Sequence, residues 1–129
     1  MSVVLDASAI LALIYREPGH ERVAAALPGV IASTVNWAEV ITTLTRRGHP
    51  DPVTATEAIR ALGIDLAPFT PHQAVQAGLL WTTTAPAGLS LGDRACLATA
   101  HTTDEADTVL TSDRAWADLD SSTRIELIR

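Results

Sequence analysis

Four acidic residues are the strongest candidates for chemistry in this sequence: Asp6, Glu39, Asp93 and Asp113. If such side chains converge, their negative charges repel one another and would also repel a phosphate, and a divalent cation reverses both effects. Carboxylate oxygens are hard ligands that suit Mg²⁺ or Mn²⁺. A cation held in this way lowers the pKa of bound water and stabilises charge on a phosphate under attack. The central question is therefore whether these four acids meet.

Asp93 has the most unusual surroundings of the four. It lies in the segment LSLGDRACLATA, Leu89–Ala100, and at helical spacing it begins an apolar stripe that continues through Cys96 and Ala100. A solvated acid is expected among polar residues instead. An alternative is a capping box, in which Ser90 caps the helix and Asp93 closes the box at its third position. Both interpretations remain open at this point.

The other three acids also have two interpretations each. Asp6 follows the short apolar run SVVL and could simply cap the next helix, as Asp113 could cap the short helix after it. Glu39 projects away from the apolar stripe of its own helix, so it faces either solvent or a cleft. Five further acids are predicted to be solvated: Asp104, Glu105, Asp107, Asp118 and Asp120.

Other kinds of site are poorly represented in the sequence. The single cysteine, Cys96, excludes an internal disulfide and a cysteine-based zinc cluster, and we predict that it is a core residue. All nine basic residues are arginine, so a Schiff base and a Walker P-loop lack their lysine. No serine lies in a GxSxG context, and the histidines lack metal-binding spacing: His20, His49, His72 and His101.

Length and composition predict one globular domain over residues 1–129. The composition is 47% hydrophobic, which is enough for a core, and the net charge of −6 argues against a protein that coats duplex DNA. The sequence has neither the basic start of a signal peptide nor an apolar run of transmembrane length. We therefore predict a cytoplasmic protein with no membrane partner.

Strands and helices alternate along the chain. Predicted strands lie at 2–6, 30–32, 65–69, 108–111 and 124–128, and predicted helices at 7–15, 20–27, 34–47, 52–63, 71–84, 89–100 and 114–118. This alternation favours a parallel sheet covered by helices on both faces. Sites in such sheets form beyond the carboxyl ends of strands, where Asp6 and Asp113 are predicted to lie.

Four segments together resemble the acidic motifs of the PIN domain family: VVLDASAIL, NWAEV, LSLGDRACLATA and VLTSDRAW. They are most similar to those of the VapC-type ribonuclease toxins of bacterial toxin–antitoxin pairs, in the same order and at similar spacing. The resemblance implies an α/β/α three-layer sandwich with a central parallel sheet of about five strands. It also implies that Asp6, Glu39, Asp93 and Asp113 cleave RNA with Mg²⁺ or Mn²⁺.

Within that resemblance, Asp6, Asp93 and Asp113 are the expected metal ligands, and Glu39 either ligates or positions the attacking water. One metal or two are both compatible with four acids. The polar positions beside the acids are matched by Ser8, Asn36, Thr111 and Ser112. Arg46, Arg94 and Arg114, near the acids in sequence, are candidates for contacting the RNA substrate, although solvated arginines are an equally good interpretation.

The resemblance also implies partners. Toxins of this type form dimers and are inhibited by a VapB-like antitoxin, whose C-terminal segment crosses the toxin and often places a basic residue at the acidic site. Trp37, Trp81 and Trp116 are predicted to belong to the core or to an interface, and Trp37 and Trp116, which are close in sequence to two of the acids, are candidates for lining the antitoxin groove.

Two rival functions agree with parts of the sequence. A phosphoaspartate phosphatase or receiver would fit an aspartate after the first strand, but the phosphatase type expects a second aspartate in place of Ser8, together with a lysine. A non-catalytic PIN-like binding module would keep the fold, but retention of all four acids argues against it.

Overall fold

The computed structural model describes residues 2–103, 106–119 and 121–129. Its sheet has five parallel strands in the spatial order β3-β2-β1-β4-β5. The strands are β1 (Ser2–Leu5), β2 (Val30–Ser33), β3 (Ile64–Ala67), β4 (Ala106–Thr111) and β5 (Arg124–Leu127). The parallel five-stranded sheet predicted from the sequence is therefore confirmed.

Seven α-helices connect and cover the strands in the described part of the chain. They are α1 (Ala7–Tyr15), α2 (His20–Ala26), α3 (Thr34–Arg46), α4 (Pro52–Arg60), α5 (Pro71–Leu79), α6 (Trp81–Thr84) and α7 (Leu91–Thr102). Two short 3₁₀ turns follow α6 and β4, at Ala85–Ala87 and Arg114–Trp116. Most helices begin at a side-chain cap, because an oxygen there satisfies an unpaired amide of the first turn. The capping side chains are Asp6, Ser33, Asp51, Thr70 and Ser90.

The sheet separates two apolar cores, which gives the three layers. Successive strand residues point to opposite faces, so in β1 Leu5 packs with α1 and α3, whereas Val4 packs against α7. Helix α7 is buried from Ala95 to Ala100. This burial between the sheet and α5 explains why α7 is apolar on nearly all sides.

Several element boundaries differ from those predicted. The single helix predicted over residues 71–84 is broken at Leu80, whose carbonyl accepts hydrogen bonds from the hydroxyls of Thr83 and Thr84. Such threonine bonds, together with the weak helix propensity of Gly78, disfavour a continuous helix. The strand predicted at 65–69 spans Ile64–Ala67.

The fourth strand begins earlier than predicted, at Ala106, so the backbone of Asp107 belongs to β4 and not to a loop. Asp118 is exposed as predicted. The predictions for Asp104, Glu105 and Asp120 fall outside the described residues. None of the helices within the described ranges is both long and apolar enough to cross a bilayer.

Candidate active site

The sheet topology brings two of the predicted acids together. Asp6 ends β1 and Asp113 follows β4, and these two strands are neighbours. The strand order reverses at this pair, because the chain runs from β1 outward to β3 and then returns to β4 on the other side of β1. Such a switch point leaves a crevice at the carboxyl ends of the strands. Helices α3 and α7, which carry Glu39 and Asp93, contact each other.

Asp6 is the most buried acid of the site, with 4% of its surface exposed. One carboxylate oxygen accepts hydrogen bonds from Ser8 Oγ at 2.7 Å and from the Ala9 amide at 2.9 Å, and the other accepts from Thr111 Oγ1. Burial raises the pKa of Asp6 to about 6 against the lowering effect of these bonds, and the charge of Asp93 raises it further. Removal from water therefore outweighs three hydrogen bonds.

The predicted polar neighbours connect Asp6 to the segment that carries Asp113. Ser8 Oγ accepts from the Ser112 amide at 2.9 Å, and Thr111 Oγ1 accepts from the Asp113 amide at 3.0 Å. Ser112 thus contributes its backbone here. The two chain segments that bear acids are held in a fixed relation by these bonds.

Asp93 is both a capping residue and a member of the acid group. Its carboxylate accepts from the Ser90 amide at 2.9 Å, and Ser90 Oγ accepts from the Asp93 amide at 3.2 Å, which completes the capping box. Partial burial raises the pKa of Asp93, and the nearby charge of Asp113 raises it further. The two interpretations of Asp93 are therefore compatible.

Glu39 faces α7 rather than open solvent. Its Oε1 accepts a hydrogen bond of 2.8 Å from Asn36 Nδ2, which also donates to the Gly92 carbonyl at 2.9 Å. Partial burial raises the pKa of Glu39, the bond from Asn36 lowers it, and the charge of Asp93 raises it. The side chain therefore belongs to the same group as Asp93.

Asp113 is exposed and caps the 3₁₀ turn after β4, where its Oδ1 accepts from the Ala115 amide at 2.9 Å. Each of the four carboxylates thus lies at the start of a helix: Asp6 at α1, Asp93 and Glu39 at α7, and Asp113 at the 3₁₀ turn. The positive end of the helix dipole stabilises negative charge at these positions.

Cys96 lies beside the acids on the buried side of α7. Burial raises the pKa of its thiol well above the usual value, and the charges of Asp6, Asp93 and Glu39 raise it further. It remains a protonated core residue, as predicted, and marks the place where three acids approach one another.

The four carboxylates are suitable ligands for a divalent cation, although their side chains do not surround a common point. In the described residues, no three acids, histidines or cysteines are close enough together to enclose an ion, because each aspartate is turned onto its own cap. The described residues also supply no arginine or histidine partner to any of the four acids. A group of carboxylates that raise one another's pKa, without a neutralising side chain, fits a hard cation.

The three predicted substrate arginines occupy different environments. Arg46 is exposed and lies seven residues after Glu39, on the same face of α3 about 10 Å along the axis. Arg114 is exposed directly after Asp113. Arg94 is half-buried, and its guanidinium donates to the Ala77 carbonyl of α5 at 2.9 Å. Arg94 therefore joins α5 to α7, and its contacts do not support the prediction that it binds substrate.

The prediction that Trp37 and Trp116 line a partner groove is wrong, because both belong to the cores, with 7% and 0% of their surfaces exposed. Trp81 is the exposed tryptophan, at 61%.

Sequence reasoning also overlooked Gly92, which contacts Glu39. Its position directly before Asp93 was the available signal.

The PIN domain model matches residues 3–121 of the chain. The chain therefore belongs to the PIN domain family, as the sequence resemblance implied. No curated protein shows a significant sequence match.

Solved structures share the fold along nearly the whole chain. VapC20 of Mycobacterium tuberculosis, a sarcin-ricin loop cleaving toxin, is 22% identical with a TM-score of 0.74, over 95% of this chain and 98% of that chain. VapBC2 of Rickettsia felis, bound to a DNA fragment from its promoter, is 16% identical with a TM-score of 0.71, over 98% of both chains. VapBC-5 of M. tuberculosis is 23% identical with a TM-score of 0.64, over 99% and 98%.

Proposed function

We propose that this protein is a metal-dependent endoribonuclease and the toxin of a VapBC-like toxin–antitoxin pair. One observation supports the activity most directly: burial raises the pKa of Asp6, Glu39 and Asp93, and neighbouring charges raise it further, that of Asp93 for Asp6 and Glu39 and that of Asp113 for Asp93. Repulsion between four acids at the switch point of a PIN fold lowers the stability of the folded protein unless a cation binds them. VapC20 of M. tuberculosis, a sarcin-ricin loop cleaving toxin that shares the fold, supports RNA as the substrate class.

In this proposal Asp6, Asp93 and Asp113 hold Mg²⁺ or Mn²⁺, and Glu39 ligates it or orients the attacking water. The bound metal supplies activated water and charge stabilisation for in-line attack on a phosphodiester. Ser8 and Thr111 keep Asp6 directed toward the crevice through their hydrogen bonds to its carboxylate. Arg46 and Arg114 are exposed, and we propose that they contact RNA phosphates.

Asp6 is poorly placed to act as the nucleophile of a phosphoaspartate enzyme. Both of its carboxylate oxygens accept hydrogen bonds, and its side chain is almost fully buried. The sequence also contains no lysine to stabilise a phosphoaspartate. Without that lysine, the metal-dependent reaction is the better supported of the two functions.

We expect the purified protein to cleave RNA with Mg²⁺ or Mn²⁺ and to stop when EDTA removes the metal. The physical reason is that uncompensated carboxylates repel the phosphodiester. Gel analysis of a structured RNA and a single-stranded RNA, with readdition of metal after EDTA, provides the measurement. Cleavage that continues undiminished in EDTA would contradict the proposed mechanism.

The proposed partner is a small VapB-like antitoxin, and the protein itself is proposed to form a homodimer. Support comes from solved VapBC structures that share the fold, including the one from R. felis. We expect expression of the protein alone to arrest growth, and co-expression with the neighbouring open reading frame to relieve the arrest. Colony counts of cells that express the protein alone or together with the neighbouring product measure this effect. A protein that is harmless alone and does not bind the neighbouring product would exclude the toxin assignment, even if it cleaves RNA.

A further inference from the structure

Gly92 has no side chain, and the carboxylate of Glu39 occupies the space that a side chain would fill. A Cβ atom added to Gly92 would lie 2.4 Å from Glu39 Oε2 and 2.5 Å from both Oε1 and Cδ. All three atoms of the carboxylate group therefore lie over the Gly92 backbone. These distances are far below van der Waals contact, so any other residue at position 92 would displace the carboxylate.

The same first turn of α7 is bound by Asn36. This side chain is 1% exposed, and its single amide nitrogen donates both to Glu39 Oε1 and to the Gly92 carbonyl. Its own oxygen has no hydrogen-bond partner among the described residues. A buried amide with one unpaired atom is unfavourable for stability, whereas an apolar residue would join α3 to α7 without that cost.

We propose that Gly92 and Asn36 are positioning residues, which together hold the Glu39 carboxylate against the first turn of α7 beside Asp93. Asn36 fixes Oε1 by a hydrogen bond to a charged acceptor, which is stronger and shorter than a neutral one. Gly92 provides the space in which the carboxylate lies. Within the described residues Oε2 accepts no hydrogen bond, and so it remains available to a metal ion or to a water molecule.

The consequence for catalysis rests on the proposed function, whereas the geometry itself can be tested without metal or RNA. Glu39 is a flexible side chain, so in Gly92→Ala the carboxylate swings away and the fold is retained. Misplacement of a catalytic group by about 1 Å can lower the rate about 100-fold. We therefore expect Gly92→Ala to lower kcat by about that factor with little change in KM.

Gly78 provides the matched control because it is the other helical glycine with φ outside the left-handed range, and a Cβ there meets nothing within 4 Å. Alanine favours a helix over glycine, so Gly78→Ala is expected to raise Tm and keep full activity. Gly92→Ala is expected to raise Tm by less, since it also breaks the bond between Asn36 and Glu39.

The decisive experiment is a double-mutant cycle with Glu39→Ala, melted in EDTA. Once Glu39 is truncated, the added methyl group has no carboxylate to displace, so Gly92→Ala should raise Tm as Gly78→Ala does. Asn36→Leu, which removes both donated bonds, should lower kcat like Gly92→Ala. Equal Tm changes for Gly92→Ala in both backgrounds, or an unchanged kcat, would overturn the proposal. A wild-type protein that cleaves no RNA would instead refute the proposed function, and the melting cycle would still decide the positioning roles.

Discussion

Asp93→Asn is expected to abolish metal-dependent cleavage and most metal-dependent stabilisation while the fold survives. The asparagine oxygen can still accept the Ser90 amide, so the capping box keeps its geometry. Loss of the first-turn charge costs about 0.3–1 kcal/mol, and relief of repulsion from Asp6, Glu39 and Asp113 opposes that cost. Wild type should gain about 2.7 kcal/mol with metal at a hundredfold excess over Kd, and the variant should lose most of that gain.

Thermal melts in EDTA and in Mg²⁺, with RNA cleavage measured in parallel, check this expectation. Ser90→Ala is the matched control, since it removes the hydroxyl from the same capping box and keeps every carboxylate. It should cost about 1 kcal/mol in both conditions and retain the magnesium shift. If Asp93→Asn retained the full shift and the activity, Asp93 would be a capping residue only.

The second large effect concerns the pH dependence of the metal-free protein. The pKa of Asp6 is about 6 in the folded protein, against an ordinary value of 3.8 in an unfolded chain, so between these pH values the folded state holds a proton that the unfolded chain has lost. Stability therefore falls as the pH rises through this window, by about 3 kcal/mol, since one pKa unit corresponds to about 1.4 kcal/mol. We expect Asp6→Asn to lose this dependence and to be more stable than wild type at pH 7 in EDTA.

Denaturant unfolding of the metal-free protein from about pH 2.5 to pH 7.5 gives the required stability curves and covers the range below the unfolded pKa of Asp51. Asp51 supplies a control of opposite sign, because its exposed carboxylate accepts hydrogen bonds from Thr54 that lower its pKa. Asp51 contributes stability above its unfolded pKa, and that contribution is lost as the pH falls, so Asp51→Asn should flatten the acid side of the curve. Parallel curves for wild type and Asp6→Asn would contradict the assignment of the effect to Asp6.

The sequence predicted the sheet, the helix order and the four acids because periodicity and capping are local signals. The sequence could not decide whether Asp93 is a capping residue or a member of the acidic site, since both roles use an acid at the same helical position. The structure shows that one carboxylate does both: it closes a capping box and raises the pKa of its acidic neighbours. The capping role and the site role of Asp93 are therefore compatible, and the presence of one is no evidence against the other.

Contacts between segments that are far apart in the chain could not be predicted from local sequence patterns. The face of Glu39 depended on α7, which lies more than fifty residues later, and only the packing of α3 on α7 turns it inward. The same limit applies to Arg94, whose partner is a backbone carbonyl of α5, and to Trp116, which the second core buries. Sequence proximity to an acid was not evidence for any of these contacts.

Helix starts hold all four acids, and this has a consequence for how the proposed metal would bind. The amides of those helix starts partly offset the negative charge of the carboxylates, so each carboxylate already has a favourable partner in the polypeptide. On the proposed function, a cation would compete with these amides for the carboxylate oxygens while the helices themselves stay formed, so the supply of cation, not the rate of folding, would set when cleavage begins.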